Sequence, residues 1–276
     1  MGRHPAPAKT TNSNHPAPLV TGQGVALILR KTVSSASLEC RVTSPTQPQA
    51  PRFYALIPCA GSGSRAAASA SGEPKQYRKN AGRRLVEHAL LAFSKVARIE
   101  LCLVVTAKGD RVLADPQAWY RVADCGGPTR AATVRQGLAR LRHLGLRPQD
   151  WVLVHDAARA LVTADLIDRL IDSCCDDEVG GLLALPLADS LKLARVERVA
   201  GTIDRSDKWL AQTPQMFRAA MLEQALQRAG DEVSDESGAI EALGHSPRLV
   251  PGRLDNFKVT FAQDFDLAET LLKGRT

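Results

Sequence analysis

The stretch Phe53-Tyr54-Ala55-Leu56-Ile57-Pro58-Cys59-Ala60-Gly61-Ser62-Gly63-Ser64-Arg65 begins with a short apolar run and ends in a turn with two glycines. Such a run is typical of a buried strand, and glycines directly after it let backbone N–H groups approach an anion. The turn lacks both the Gly-Lys-Ser/Thr of a Walker loop and the third glycine of the dinucleotide fingerprint. The stretch therefore predicts a strand followed either by a phosphate-binding turn or by an ordinary tight turn.

Strand-like and helix-like segments alternate from residue 52 to the end of the chain. The predicted helices span 83–96, 129–141, 163–171, 214–228, 235–243 and 263–272. The further predicted strands span 101–106, 151–155 and 181–185. This alternation predicts an α/β fold, namely a three-layer, Rossmann-like, mostly parallel sheet whose ligands bind at the carboxyl ends of the strands. Residues 187–212 lack a helical pattern and are predicted to form a protruding β-hairpin arm.

The first 51 residues differ in composition from the rest. They are rich in Pro, Ser, Thr and Gln, and Glu39 is their only acidic residue. We predict a disordered N-terminal extension over 1–51 and one folded domain over 52–276. Because the extension is basic, Ser-rich and poor in acids, a plastid transit peptide is the alternative.

The bulk composition narrows the class of protein. The chain has 276 residues, 44% hydrophobic and 24% charged, with a net charge of +7. No apolar run is long enough to span a membrane, and with 4% aromatic residues and no Lys/Arg run no nucleic-acid partner is expected. The six cysteines form no Cys-x-x-Cys pair, which favours a reduced, cytoplasmic protein. The positive charge reflects either a general basic bias together with a basic N-terminus or pockets for small anions.

Four segments carry candidate chemistry. Arg65 and Lys75 place two cations around the glycine turn, which suits a triphosphate. Gly127, after Gly126 and ahead of a predicted helix, exposes backbone that can read a base edge, and the Thr133 hydroxyl lies one helical turn further on. Without other support, this segment is also compatible with an ordinary helix start.

The third segment caps the predicted strand 151–155, and the fourth is interpreted as a strand end. In His155-Asp156-Ala157-Ala158-Arg159, the Asp can bind a metal, a ribose hydroxyl or an acceptor hydroxyl, and the Arg can bind an anion. His155 is interpreted as structural, and a surface Asp–Arg pair is the alternative for the other two. Lys258 in Asp255-Asn256-Phe257-Lys258-Val259-Thr260 is either a pocket cation or an exposed strand lysine.

Taken in order, these segments resemble the 2-C-methyl-D-erythritol 4-phosphate cytidylyltransferases of the non-mevalonate isoprenoid pathway. The resemblance covers about Tyr54 to Leu272. It also includes Pro74-Lys75-Gln76-Tyr77, Thr213-Pro214-Gln215 and Ser234-Asp235-Glu236. It implies that the phosphate of 2-C-methyl-D-erythritol 4-phosphate attacks the α-phosphorus of CTP, giving 4-diphosphocytidyl-2-C-methyl-D-erythritol and pyrophosphate. It also implies Mg²⁺ held mainly by the phosphates, with no protein metal ligand assigned.

The resemblance assigns roles to individual residues. Arg65, Lys75 and Lys258 are the implied catalytic cations. The implied CTP contacts are Ala60, Gly61, Gly63, Gly127, Thr133 and Asp156. The implied acceptor contacts are Asp156, Arg159, Ser190, Arg205, Thr213, Ser234 and Lys258. In the family the arm reaches across a homodimer, so Arg205 and Thr213 would serve the partner's site.

Some positions depart from the family pattern. Cys59 stands where Ala is usual, and Ser64 where a second basic residue is common. Pro128 occupies a position that is often acidic, so no side-chain contact to the base is expected there. Ala160 replaces a usual Pro, while Ser190 and Ser234 keep the hydroxyl of a usual Thr.

Three other functions are compatible with parts of the pattern. A ribitol-5-phosphate cytidylyltransferase would share the glycine turn, Lys75 and Asp156, and would differ in the acceptor pocket. A catalytically silent nucleotide-binding protein of the same fold would be expected to have lost some of the cations. An NAD-type oxidoreductase would need the missing third glycine.

Overall fold

The computed structural model describes residues 50–61, 73–113 and 119–275. The strands are β1 Phe53–Pro58, β2 Lys79–Asn80, β3 Arg83–Arg84, β4 Ile99–Val105, β5 Tyr120–Ala123, β6 Trp151–Val154, β7 Gly180–Pro186, β8 Leu191–Arg195, β9 Arg198–Ile203, β10 Trp209–Arg218 and β11 Arg248–Pro251. The helices are α1 Leu85–Ser94, α2 Arg130–His143, α3 Ala164–Cys174, α4 Ala219–Ala229, α5 Glu236–Ala242 and α6 Ala262–Lys273. A short 3₁₀ turn covers Lys75–Tyr77.

The central sheet has seven strands in the order β11-β7-β10-β6-β1-β4-β5. Four of its strand pairs are parallel, namely β1–β4, β1–β6, β4–β5 and β7–β11. Among the described strands of this sheet, only β10 runs against its neighbours, pairing antiparallel with both β6 and β7. The prediction of a mostly parallel sheet is confirmed.

Helices cover both faces of this sheet. Along β1, Tyr54 and Leu56 point to one face and Ala55 and Ile57 to the other, as the two-residue period of a strand requires. The first face packs against α2, α4 and α5. The second packs against α1 and α3. Helices on both faces leave all four of these side chains fully buried, so the strand has to be apolar throughout. The sheet and the helices on its two faces form three layers.

Three helices begin where the sequence predicts. Thr129, Thr163 and Asp235 are the N-caps of α2, α3 and α5, and their side chains accept hydrogen bonds from the backbone N–H of Ala132, Leu166 and Gly238. Such caps satisfy N–H groups that have no partner inside the helix. They fix the starts of α2 and α5, which carry site residues.

The predicted arm is present as the two-stranded hairpin β8–β9, which forms a sheet of its own. Its apolar side chains are largely exposed, with Val196 at 91%, Val199 at 67% and Leu193 at 54%. An isolated two-stranded hairpin is marginally stable in water.

The prediction of a helix from 214 was wrong for residues 214–218. Gln215–Arg218 pair with β6 on one side, and Gln215–Phe217 pair with β7 on the other. These pairings keep the chain extended until Ala219, where α4 begins. The short strands β5 and β11 were not predicted.

No helix in the described part of the chain is both long and apolar enough to cross a membrane.

Candidate functional site

Asp156 lies two residues beyond β6, at the carboxyl end of the strand, and is buried. Its Oδ1 accepts a hydrogen bond from Nε of Arg130 at 3.0 Å, and its Oδ2 lies 2.8 Å from Nζ of Lys258. Nε of Arg159 is 3.8 Å from Oδ2. Burial disfavours the charged carboxylate, but these three cations outweigh it and hold the pKa of Asp156 far below its usual range. Asp156 is therefore ionised and is held by a cation at each oxygen.

Arg130 is the first residue of α2, and its guanidinium also contacts Glu236, the first residue of α5. Nη1 and Nη2 of Arg130 donate to Oε1 and Oε2 of Glu236 at 2.7 and 2.9 Å. The Glu236 side chain is fully buried. Burial opposes the charge of Arg130, but Glu236 and Asp156 outweigh it and raise the pKa of Arg130 further above its ordinary value.

Sequence reasoning assigned no role to Arg130 or Glu236, although Arg130 lies in the predicted helix 129–141 and Glu236 in the Ser234-Asp235-Glu236 run. The only signal was two charged residues at the predicted starts of helices. Their pairing spans 106 residues of sequence, so it depends on the fold.

The Thr213 hydroxyl contacts both Asp156 and His155. Its Oγ1 accepts from the backbone N–H of Asp156 at 3.0 Å and is 3.0 Å from Nδ1 of His155. Nε2 of His155 is 3.1 Å from the carbonyl oxygen of Arg159. Burial lowers the pKa of His155 to about 4, so at neutral pH the ring is neutral. Its Nε2–H then donates to Arg159, and its Nδ1 accepts from Thr213. His155 thus bridges the Thr213 hydroxyl and the carbonyl of Arg159, which fixes the Asp156–Arg159 segment.

Arg159 is mainly committed to backbone. Its Nη1 donates to the carbonyl of Asn256 at 2.8 Å, and its Nη2 to the carbonyl of Ala211 at 3.2 Å. Nδ2 of Asn256 in turn donates to the carbonyl of Thr213 at 3.0 Å. These bonds join the segments that carry Asp156, Thr213 and Lys258.

A cavity of about 150 Å³ opens above this cluster. At about 30 Å³ per water, that is room for roughly five waters or a small anionic group. Arg130, Asp156, Arg159, Ala211, Gln212, Thr213, Gln215, Ser234, Asp235 and Lys258 line it. The structure therefore brings together five predicted acceptor residues: Asp156, Arg159, Thr213, Ser234 and Lys258. The expectation that Thr213 serves the partner's site is not met, because the pairing of β10 with β6 places its hydroxyl beside Asp156 of the same chain.

Lys75 lies beside the loop before α6, and its neighbour Gln76 contacts the described part of the glycine turn. Nζ of Lys75 donates to the carbonyl of Val259 at 3.1 Å, next to Lys258 in sequence. Nε2 of Gln76 donates to the carbonyls of Cys59 and Gly61 at 3.1 and 2.7 Å. These bonds tie the Lys75 turn to the loop after β1. The predicted residues Gly63 and Arg65 lie outside the described residues.

The predicted base-reading loop lies against the loop after β1. A Cβ at Gly126 would stand 2.3 Å from Cβ of Ala60 and 2.7 Å from the carbonyl oxygen of Thr106, so this approach requires glycine. Oγ1 of Thr133 accepts from the backbone N–H of Gly127 at 3.1 Å and donates to the carbonyl of Thr129 at 2.9 Å. The Thr133 hydroxyl thus holds the loop at Gly127.

Two predicted acceptor residues are not brought to the cavity within this chain. Ser190 and Arg205 are exposed and lie on either side of the arm hairpin, which spans Leu191 to Ile203.

The fold and the site define a Rossmann-like α/β protein with a cation-rich pocket for anions at the carboxyl end of its sheet. The family model "IspD: 2-C-methyl-D-erythritol 4-phosphate cytidylyltransferase" matches residues 53–274, and the chain belongs to this nucleotidyltransferase family. The resemblance found in the motifs is thereby confirmed.

Curated relatives agree with this assignment. The 2-C-methyl-D-erythritol 4-phosphate cytidylyltransferase of Burkholderia cenocepacia (strain HI2424) is 48% identical over 231 residues, covering 80% of this chain and 96% of the relative. The bifunctional enzyme IspD/IspF of Albidiferax ferrireducens is 56% identical over 235 residues, covering 84% of this chain. The match covers 56% of that bifunctional protein, a little over half its length.

Solved structures show the same fold. A 4-diphosphocytidyl-2C-methyl-D-erythritol synthase superposes with a TM-score of 0.71 at 38% identity, covering 80% of this chain and 99% of the other. The 2-C-methyl-D-erythritol 4-phosphate cytidylyltransferase of Francisella tularensis superposes with a TM-score of 0.69 at 30% identity, covering 79% and 99%.

Proposed function

We propose that this protein transfers CMP from CTP to 2-C-methyl-D-erythritol 4-phosphate, giving 4-diphosphocytidyl-2-C-methyl-D-erythritol and pyrophosphate for isoprenoid precursor synthesis. The observation that carries the proposal is the cavity around Asp156, where Arg130, Arg159 and Lys258 meet at the end of β6. The names of the relatives support the choice of nucleotide and acceptor.

In the proposed reaction an oxygen of the acceptor phosphate attacks the α-phosphorus of CTP. A new P–O bond forms at that phosphorus while its bond to the bridging oxygen of the β-phosphate breaks, and pyrophosphate leaves with the electron pair. Because the phosphate nucleophile is already anionic, no strong general base is required. Catalysis then consists of positioning the two substrates and stabilising charge.

Different cations stabilise the charges of the two substrates. Lys75, together with Arg65, neutralises the triphosphate and the charge that develops on pyrophosphate. Lys258 serves the acceptor phosphate. Its side chain is 40% exposed, so it can turn from Asp156 to an anion in the cavity. The Asp156 carboxylate then accepts hydrogen bonds from ribose or acceptor hydroxyls while Arg130 continues to hold it.

Mg²⁺ is proposed to be held mainly by phosphate oxygens. In the described ranges, no three His, Cys, Asp or Glu side chains are grouped so that they could hold a metal. Asp156, the acidic residue beside Lys258, has a cation at each of its oxygens. When bound, Mg²⁺ would neutralise charge on the triphosphate.

We also propose a homodimer formed through the arm. The exposed apolar side chains of β8 and β9 support it, as does the exposure of Ser190 and Arg205, which would then contact acceptor in the partner's site. A cytoplasmic location is proposed as well, because Cys59, Cys102, Cys125, Cys174 and Cys175 are free thiols.

The test is pyrophosphate release from CTP with each of two acceptors. We expect release with 2-C-methyl-D-erythritol 4-phosphate and little with ribitol 5-phosphate. Turnover of ribitol 5-phosphate alone would show that ribitol 5-phosphate is the acceptor. CTP binding without any release of pyrophosphate would indicate a catalytically silent nucleotide-binding protein.

A further inference from the structure

Arg130 occupies a position that is unfavourable for a cation unless carboxylates hold it. It is the first residue of α2, where the helix dipole repels positive charge, and its side chain is only 26% exposed. Burying a guanidinium without partners is costly. The three hydrogen bonds to Glu236 and Asp156 compensate this cost.

The three hydrogen bonds also fix the orientation of the Arg130 guanidinium. A guanidinium is planar and presents its N–H groups in a rigid fork. Because both Nη atoms are used on Glu236, its Nε is aimed at Oδ1 of Asp156. The other carboxylate oxygen, Oδ2, is left to Lys258. Glu236 therefore orients Arg130, and Arg130 orients Asp156.

This chain of contacts connects the two halves of the site. Arg130 follows the Gly127 loop by three residues, and Glu236 follows the cavity-lining Ser234 and Asp235 directly. The ion pair thus joins the start of α2, on the nucleotide side, to the start of α5, on the acceptor side.

We propose that Arg130, oriented by Glu236, is a positioning residue that holds Asp156 in place while Lys258 transfers from Asp156 to the phosphate of the acceptor. The inference rests on the proposed function. When Lys258 turns away, Asp156 keeps the Arg130 hydrogen bond and remains a compensated carboxylate. Without Arg130, the attraction between Asp156 and Lys258 would compete with the incoming phosphate.

The test compares two Arg–Glu pairs made by the same helix. Arg142, near the other end of α2, donates from Nε to Oε1 of Glu223 in α4 at 2.7 Å, outside the cavity lining. Arg130→Lys and Glu236→Gln should each lower kcat/KM for the acceptor by about 10- to 100-fold, because a misplaced reacting group costs on that order. Arg142→Lys and Glu223→Gln should change it less than about threefold. An equal loss for both pairs would overturn the positioning role.

A double variant separates positioning from folding. Replacing both members of a buried ion pair with apolar side chains is often neutral for stability, so Arg130→Met/Glu236→Leu should melt close to the wild type and still have low acceptor kcat/KM. Recovery of wild-type kcat/KM together with stability would show that the pair is only structural.

Binding of inorganic phosphate gives a readout that needs no turnover. Calorimetry with phosphate should show about tenfold weaker binding for Arg130→Lys and unchanged binding for Arg142→Lys. If the wild type turns over neither acceptor, the proposed function fails, yet this comparison still decides the inference. Equal phosphate affinity in wild type and Arg130→Lys would contradict it.

Discussion

The two oxygens of Asp156 are held by different cations, and this division explains the charge arrangement of the site. Arg130 donates a hydrogen bond to Oδ1 and is itself held by Glu236. Lys258 takes Oδ2 from the more exposed side. One cation is thus committed to the protein, and the other is available to an anion.

Loss of the Lys75 side chain should affect the rate far more than the stability. Lys75→Ala should lower kcat by roughly 100- to 1000-fold, since losing one preorganised contact to transition-state charge costs about 3–4 kcal/mol. Its melting temperature should change little. Lys79→Ala, at an exposed lysine of β2, is the matched control. A Lys75→Ala rate within about threefold of the wild type would count against the assigned role.

His155 gives a prediction about pH. Burial lowers its folded-state pKa to about 4, below the ordinary value of about 6.5. The unfolded chain therefore binds the proton more readily, and stability falls as pH drops from about 6.5 towards 4. The loss between pH 7 and 5 is about 2 kcal/mol.

Urea unfolding at pH 7 and pH 5 measures this effect. The wild type should lose stability on acidification, and His155→Gln should lose less. Asp156 does not interfere in this range, because its lowered pKa places its own contribution at more acid pH. Identical pH dependence of the two proteins would contradict the assignment of a buried neutral His155.

The sequence predicted several of the residues around Asp156 but not the contacts among them. Asp156 and Lys258 were predicted to bind a common ligand, and the structure brings them to one cavity. Thr213 lies in the same cavity, although it was predicted to serve the partner's site. The role of Arg130 was missed, because no local pattern states which of the charged residues will be buried and paired. Thr133 was predicted to read the base, and its hydroxyl bonds within the loop in the structure; base reading by Thr133 stays a prediction.

Among the elements, the apolar runs were the most predictable. β1, β4, β6 and β7 are buried strands whose composition alone indicates them, and helix caps such as Thr163 fixed helix starts. β10 was partly misassigned because Thr213–Arg218 carries no strand-specific pattern and owes its extended form to β6 and β7. The edge strands β5 and β11 are only four residues long, too short for a periodic signal.

Charged side chains on the arm should prevent formation of the proposed dimer. Leu193→Asp/Val199→Asp should convert the proposed dimer into monomers, because these half- to two-thirds-exposed apolar side chains would carry charge into the interface. Light scattering measures the mass. Leu144→Asp, at a 37% exposed leucine after α2, is the control and should remain dimeric. A monomeric wild type, or a dimer that survives both charges, would contradict the proposal.

For the whole molecule, the boundary near residue 52 gives a further prediction. The family match begins at residue 53, and the assignment of 1–51 as a disordered extension stays a prediction. A chain starting at residue 51 should keep kcat and KM within about twofold, because every described site residue lies beyond that point. The measurement is a side-by-side rate assay of both chains. An insoluble or inactive truncated chain would show that the extension belongs to the fold.

The identity of the acceptor is tested by the ratio of kcat/KM for 2-C-methyl-D-erythritol 4-phosphate to that for ribitol 5-phosphate, measured by pyrophosphate release from CTP. A site built around acceptor hydroxyls and phosphate discriminates by at least about 100-fold. We expect a ratio above that value, with 4-diphosphocytidyl-2-C-methyl-D-erythritol identified as the product by mass. A ratio near or below one, or no pyrophosphate release with either acceptor, would contradict it.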